Sequence, residues 1–225
     1  MSGGVLDAAE AAADAGSGTP PPGRPLRVGL DGRALEPPRT GVGRYVAELC
    51  RGLDAVLPAG SEVFVYARRP VELPVADPSG RVAWRLRAEP VAPFGRLPAT
   101  LWTRYRAPVL ARPDRLDVFW ACAAFLPAGL RVPAVLTVHD LLYRVAPETM
   151  TRGARLAFRR WFPADARRAE VVLTNSAGTA ERLRALLGVH AHAVVRPAAG
   201  PEFRPPDAAA RRRVRERYGL DGPYF

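Results

Sequence analysis

The sequence predicts an α/β fold, a Rossmann-like domain with a mainly parallel sheet. Three observations predict it. Short continuous apolar runs recur along the chain, the look of strands buried on both faces. Stretches with apolar residues at helical spacing separate them. Glycine, proline or a capping residue marks most junctions. Strand–helix alternation of this kind builds βαβ units, whose right-handed crossovers give a parallel sheet with helices on its faces.

The elements follow in order. Residues 26–30 (LRVGL) form a first strand ending at Asp31-Gly32. A loop with Pro37-Pro38 leads to Thr40-Gly41-Val42-Gly43-Arg44. Val46, Leu49, Cys50, Leu53, Val56 and Leu57 then recur at helical spacing, with Glu48, Arg51 and Asp54 on the other face. EVFVYA at 62–67 alternates as a second strand, and 82–86 is a third, after the turn at 77–80. Residues 97–110 keep helical spacing until Pro108 kinks or ends them. LDVFWA at 116–121 and AVLTV at 134–138 read as buried parallel strands. Thr151 caps a basic helix to about Arg168, interrupted near Pro163. VVLT at 171–174 is another buried strand, and Ser176 caps a helix over 177–187 that Gly188 closes. A short strand at 192–196 and a basic helix at about 206–218, ending at Gly219, complete the pattern.

Composition narrows the function classes. With 225 residues, 48% hydrophobic and 24% charged, the chain has room for one large domain or two small ones, and it is not a disordered polymer. The longest apolar run, 118–130, contains a proline, and no stretch of transmembrane length is free of charge. Net charge is +11, yet the sequence has no Lys, Ile or Gln and one Asn, so all 33 basic residues are Arg. That alphabet fits a GC-rich coding sequence, and part of the arginine count follows from it. The excess concentrates in 151–225, with 15 Arg against seven acids. Cys50 and Cys122 form no CxxC and no His/Cys cluster, which leaves a disulfide framework or zinc site unsupported and points to a reduced, cytosolic compartment. Residues 1–24 are acidic, then Gly/Ser/Pro-rich, and lack the basic and apolar regions of a signal peptide. They read as a disordered leader.

Four features carry chemistry. In open α/β sheets ligands bind where strands end and helices begin, and the glycine loop sits at such a junction. Its glycines let backbone N–H groups approach a phosphate or sugar hydroxyl beside a helix N-terminus. The dinucleotide fingerprint is incomplete, because no third glycine follows and the gap from Asp31 to Gly41 is long. Glycines that serve only the turn and packing are the alternative. Thr137-Val138-His139-Asp140 ends a buried strand; there His139 can act as donor or base, and Asp140 can orient a hydroxyl or start a turn. A purely structural histidine is the alternative. Thr174-Asn175-Ser176 ends another strand, where capping explains Ser176 and a cleft role is the second reading. Arg152, Arg155, Arg159, Arg160, Arg167 and Arg168, near Phe158, Trp161 and Phe162, suit either an anionic membrane surface or a solvated helix face. No nucleic-acid signature accompanies them, and His190 and His192 receive no role.

Five segments taken together resemble a known family. RVGLDGRALEPPRTGVGRYVAEL, DVFWACAAFLP, PAVLTVHDLLYRVAPE, AEVVLTNSAGTAERL and HAVVRPAAGPEFRP are similar, in order, to the N-terminal half of family 4 glycosyltransferases, retaining enzymes of GT-B architecture. The resemblance covers about residues 26–205. It implies two Rossmann-like domains facing a cleft, the N-terminal one holding acceptor and the C-terminal one nucleotide-sugar. By position it places Thr40, Gly41, Val42, Gly43, Arg44 and Tyr45 near donor phosphate and acceptor, and His139, the catalytic candidate, near the transferred sugar. Asp140 lies beside it, and Asn175 and Ser176 match a polar pair at the cleft edge. Arg196-Pro197 to Phe203-Arg204-Pro205 resembles the connection to the donor domain, although the usual glycine–aspartate pair reads Gly200-Pro201-Glu202.

The implied organisation is a leader (1–24), an acceptor-side domain (25–205), and a linker helix (206–225) opening a donor domain outside this chain, which alone is expected to be inactive. The implied partners are a nucleotide-sugar substrate and a glycan or glycolipid acceptor, with mannosyl transfer into a bacterial cell-envelope polysaccharide as one form. No metal or other cofactor is expected, nor nucleic acid. The implied place is the cytoplasm, with peripheral contact at an anionic inner membrane face. A non-catalytic acceptor- or membrane-docking module, a sugar-nucleotide epimerase and a Rossmann oxidoreductase remain as alternatives. The missing third glycine and the missing acidic residue after the second strand argue against the oxidoreductase.

Overall fold

The structure, a computed structural model, describes residues 23–75, 80–200 and 203–222. The expected leader (apart from residues 23 and 24), most of the turn at 77–80, the Pro201-Glu202 pair and the terminal Pro223-Tyr224-Phe225 lie outside the described residues.

Strands β1 (Arg27–Asp31), β2 (Glu62–Ala67), β3 (Ala83–Ala88), β4 (Val118–Ala121), β5 (Ala134–Val138), β6 (Val171–Thr174) and β7 (Ala193–Val194) form one sheet. Its order is β3-β2-β1-β4-β5-β6-β7, and every neighbouring pair is parallel. The chain runs outward from β1 to β3, returns, and runs outward again from β4 to β7. The topological switch therefore falls between β1 and β4, where an open α/β sheet forms its ligand crevice.

Helix α1 (Gly41–Val56) follows β1; α2 (Ala92–Gly95), α3 (Ala99–Tyr105) and α4 (Ala107–Ala111) connect β3 to β4. After β5 come α5 (Leu142–Val145) and α6 (Arg152–Arg168), then α7 (Ala177–Leu187) after β6 and α8 (Ala208–Tyr218) after β7. Strand alternation sorts the core into two layers. Val28, Leu30, Val63, Val65 and Trp120 pack with Val46 and Cys50 of α1. On the other face Phe64, Phe119 and Leu136 pack with Trp102, Phe162 and Leu183 of α3, α6 and α7.

Three boundaries differ from the expected ones. Helix α6 runs unbroken through Pro163. The proline removes one helical hydrogen bond, but Phe162, Asp165 and Ala166 are buried around it and hold the helix against the sheet. The 97–110 segment divides at Arg106, and Pro108 sits in the first turn of α4, where its missing N–H has no helical partner to lose. Only two residues of 192–196 are strand, because His192 continues the pairing with its side chain. Its Nδ1 accepts the Val172 N–H at 3.0 Å while its own N–H donates to the Val172 carbonyl.

Candidate functional site

Every sequence-predicted site residue lies at the carboxyl ends of the strands. At the end of β1, Asp31 is buried and accepts Nε of Arg33 at 2.9 Å and its terminal nitrogen at 2.7 Å. Arg33 reaches on to the Ala123 carbonyl (2.7 Å), and the Cys122 thiol lies 2.8 Å from the Asp31 carbonyl. The ends of β1 and β4 are thus tied across the switch point. Beyond β4, Ala124 adopts φ 76° with the Phe125 N–H donating to the Ala123 carbonyl at 3.1 Å, a γ-turn of the strained hand. Arg33 and the buried Asp165, which accepts the Leu126 N–H at 3.1 Å, hold that turn in place.

The glycine loop separates two functions by burial. Thr40 caps α1, its hydroxyl accepting the Gly43 N–H at 3.4 Å. Thr40, Gly41 and Arg44 are exposed, whereas Gly43 and Tyr45 are buried and Val42 partly so. A Cβ on Gly43 would overlap the Ala34 carbonyl oxygen, so this glycine lets α1 start against the preceding turn; one on Gly41 would meet nothing. Tyr45 joins the parts. Its ring meets His139 edge-on (centroids 5.4 Å apart, 85°), and its hydroxyl donates to the Val195 carbonyl at 2.8 Å.

His139 follows β5 and its Nε2 lies 2.8 Å from the Cys122 carbonyl. A carbonyl only accepts, so Nε2 carries the proton. In an imidazole carrying its one proton there, Nδ1 is the remaining hydrogen-bonding atom, an acceptor suited to a hydroxyl. Asp140 is exposed and its Oδ1 accepts the Leu142 N–H at 3.0 Å, starting the turn into α5. After β6, Ser176 caps α7 by accepting the Thr179 N–H at 3.1 Å. The Thr179 hydroxyl lies 3.2 Å from the His139 carbonyl, 3.2 Å from Asn175 Oδ1 and 2.9 Å from Ser176 Oγ. Sequence reasoning missed Thr179; the Ser-x-x-Thr spacing at the start of α7 was its signal.

A groove of about 620 Å³ opens on the far side of Tyr45, between α1 and the segment after β7. Arg39, Gly41, Arg44, Tyr45, Arg196 and Phe203 line it, and His139 does not. Arg39 donates to the Glu72 carbonyl at 3.1 Å; Arg44 and Arg196 have no acidic partner among the described residues. The groove therefore offers uncompensated positive charge next to the glycine loop.

The chemistry is bounded by what the groups can be. Burial pushes the Cys50 thiol up to about 12 and Cys122 well above its ordinary value, so neither serves as a thiolate nucleophile at neutral pH. Among the described residues no cluster of three or more His, Cys, Asp or Glu is arranged to hold a metal. At the end of β2, where dinucleotide folds place an acid on the ribose, stands Arg68, bound to Glu36 at 2.5 Å.

A sequence model for glycosyltransferase family 4 matches residues 39–198, from the loop before α1 to just beyond β7. The chain belongs to glycosyltransferase family 4. The matched span takes in the glycine loop, His139 and the Asn175–Ser176–Thr179 cluster, and leaves out the Asp31–Arg33 pair. The α/β sheet is that of a GT-B N-terminal domain, and the chain is a glycosyltransferase-like module with a sugar donor and an acceptor as its partners. No curated protein matches the chain. Among the described residues no helix is long and apolar enough to cross a membrane.

Proposed function

We propose that this chain is the acceptor-side half of a retaining hexosyltransferase that moves a sugar from a nucleotide-sugar to a glycan or glycolipid. The observation that carries the reading is the convergence of the glycine loop, His139 and the Asn175–Ser176–Thr179 cluster on one sheet edge through Tyr45. In it, Nδ1 of His139 accepts a hydroxyl of the transferred sugar or of the acceptor, and the ring is fixed by the Cys122 carbonyl and Tyr45. Holding that hydroxyl in line with the anomeric carbon is catalysis by orientation. Arg44 and Arg196 give the groove an attraction for the donor's phosphates.

Stabilising the departing pyrophosphate is assigned to a second half. The 225-residue chain alone then transfers no sugar, and robust turnover by it would contradict this part of the reading. Mannose from a GDP-sugar is the preferred donor in the proposal, the acceptor a bacterial cell-envelope glycan, and the place the cytoplasmic face of the membrane. Peripheral contact with anionic lipid belongs to the same proposal. Arg152, Arg159 and Arg160 are exposed, but Phe158 and Phe162 pack inward against Phe125 and Tyr143, so arginine and Leu156 (69% exposed) form that face rather than the expected aromatics. Sedimentation with anionic vesicles at low salt tests the contact; a chain left in the supernatant removes it.

Calorimetric titration of GDP- and UDP-hexoses against NAD(H) tests the main reading. Binding of a nucleotide-sugar that weakens about tenfold in His139→Ala, with NAD(H) inert, is the expected result. Tight NAD(H) binding would favour the oxidoreductase or epimerase instead.

A further inference from the structure

At the opposite edge of the sheet, where β4 and β5 begin, four arginines line a cavity of about 680 Å³. Arg104 comes from α3, Arg112 and Arg115 from the turn before β4, and Arg131 from the turn before β5. The wall between them is apolar, with Leu116 and Leu130, and Tyr105 stands exposed at the rim. The volume is that of a small-molecule site.

Nearby carboxylates are turned elsewhere. Asp114, beside Arg115 in the chain, accepts the Tyr66 hydroxyl at 2.8 Å and Arg87 at 2.8 Å. Asp117 accepts Arg24 at 2.7 Å and the Arg27 N–H at 2.8 Å. Asp165 binds both Arg104 (2.9 Å) and Arg168 (3.0 Å), so that trio keeps a net positive charge. Among the described residues Arg112, Arg115 and Arg131 have no acidic partner. Gathering like charges around one concavity raises the local potential and attracts anions. Arg115 adds an independent observation. It sits at φ 44°, ψ 57°, a left-handed conformation that disfavours any side chain, yet an arginine occupies it at the cavity wall.

We infer that this cavity binds a phosphate ester bearing an apolar substituent. Guanidinium forks match phosphate oxygens in pairs, and the Leu116–Leu130 wall takes the hydrocarbon or ring. Two sources offer this chemistry, a lipid headgroup and a free organic phosphate. The site lies on the edge away from His139, so it stands or falls independently of the proposed sugar transfer.

The test uses the full chain with phenyl phosphate, inorganic phosphate, and vesicles of phosphatidylcholine with or without phosphatidic acid. Three variants accompany it: Arg115→Gly, the double Arg112→Gln/Arg131→Gln, and a control, Arg182→Gln/Arg184→Gln, at two exposed positions of α7 away from the cavity. Glycine suits the left-handed backbone at 115, so that variant is expected to melt no lower than the parent. Phenyl phosphate is expected to bind more tightly than inorganic phosphate, with about a tenfold loss in each cavity variant, the scale of one charge-assisted hydrogen bond, and none in the control. Binding of the free ester identifies a soluble ligand. Binding only to phosphatidic acid vesicles, with the same variant sensitivity, identifies a headgroup. No binding to either, or an equal loss in the control, overturns the inference.

Discussion

His139 shows how one backbone contact decides what a side chain can do. Because Nε2 donates to the Cys122 carbonyl, Nδ1 of the imidazole is left as an acceptor. His139→Ala should weaken sugar-ligand binding by about tenfold, the upper range for a neutral hydrogen bond, and leave the fold intact. Titration calorimetry on both proteins checks it. A second residue-scale prediction concerns Tyr143, whose buried hydroxyl has no hydrogen-bond partner among the described residues while its ring packs against Phe158 and Phe162. Removing an unmatched buried hydroxyl lifts a desolvation penalty, so Tyr143→Phe should be neutral or stabilising by up to about 1 kcal/mol in urea denaturation. A clear destabilisation would contradict that packing. The strand-end position of His139 was legible in the sequence, because the residue directly follows an apolar strand run. For Thr179 the Ser-x-x-Thr spacing signalled a cap, but its link to the His139 carbonyl, 40 residues away, was not legible. The strained turn at Ala124 was equally hidden, as alanine carries no turn signal.

Among the elements, α1 carries the sharpest contrast. Gly41 and Gly43 look alike in sequence, yet a Cβ at 43 strikes the Ala34 carbonyl and one at 41 strikes nothing. Gly43→Ala should therefore cost about 1–3 kcal/mol through overpacking, while Gly41→Ala stays within about 0.5 kcal/mol of the parent. Chemical denaturation of the two variants decides between a structural and an indifferent glycine at each place. Where end signals accompanied a long period, as in α1, α6 and α7, sequence located the helix to within a few residues. Thr40, Thr151 and Ser176 are all observed caps, and Gly188 and Gly219 both close their helices at positive φ. Helices α2 and α5 are single turns, too short to show a period, and went unseen. The expected break at Pro163 failed because tertiary burial outweighed one lost hydrogen bond.

For the molecule as a whole, the parallel sheet was readable because its central strands β1, β4 and β5 are largely buried on both faces and read as continuous apolar runs; the strand order was not, since it depends on crossovers. Electrostatics give a whole-molecule prediction. Burial alone would raise the Asp114 carboxyl, but hydrogen bonds from Arg87 and Tyr66 hold it below the ordinary range. Burial likewise opposes Glu89, which Arg106, Trp102 and the Val91 N–H hold low. A carboxyl depressed in the folded state adds stability that is complete above its unfolded value and is lost as pH falls through the folded one. The melting temperature should therefore fall as pH drops below the ordinary carboxylate range, and Asp114→Asn should flatten that fall. An unchanged acid profile in the variant would contradict it. Part of the +11 charge gathers in the groove beside the glycine loop, in the cavity at the far edge and on the exposed faces of α6 and α8.

The central claim is that the edge around His139 engages a nucleotide-sugar. With only three histidines, at 139, 190 and 192, side-chain nuclear magnetic resonance of the histidine-labelled chain reads it directly. Addition of GDP- or UDP-hexose should shift the His139 ring signals and leave His190 and His192 in place. Ring signals of His139 that stay fixed at saturating nucleotide-sugar, or that move only with NAD(H), would contradict the account.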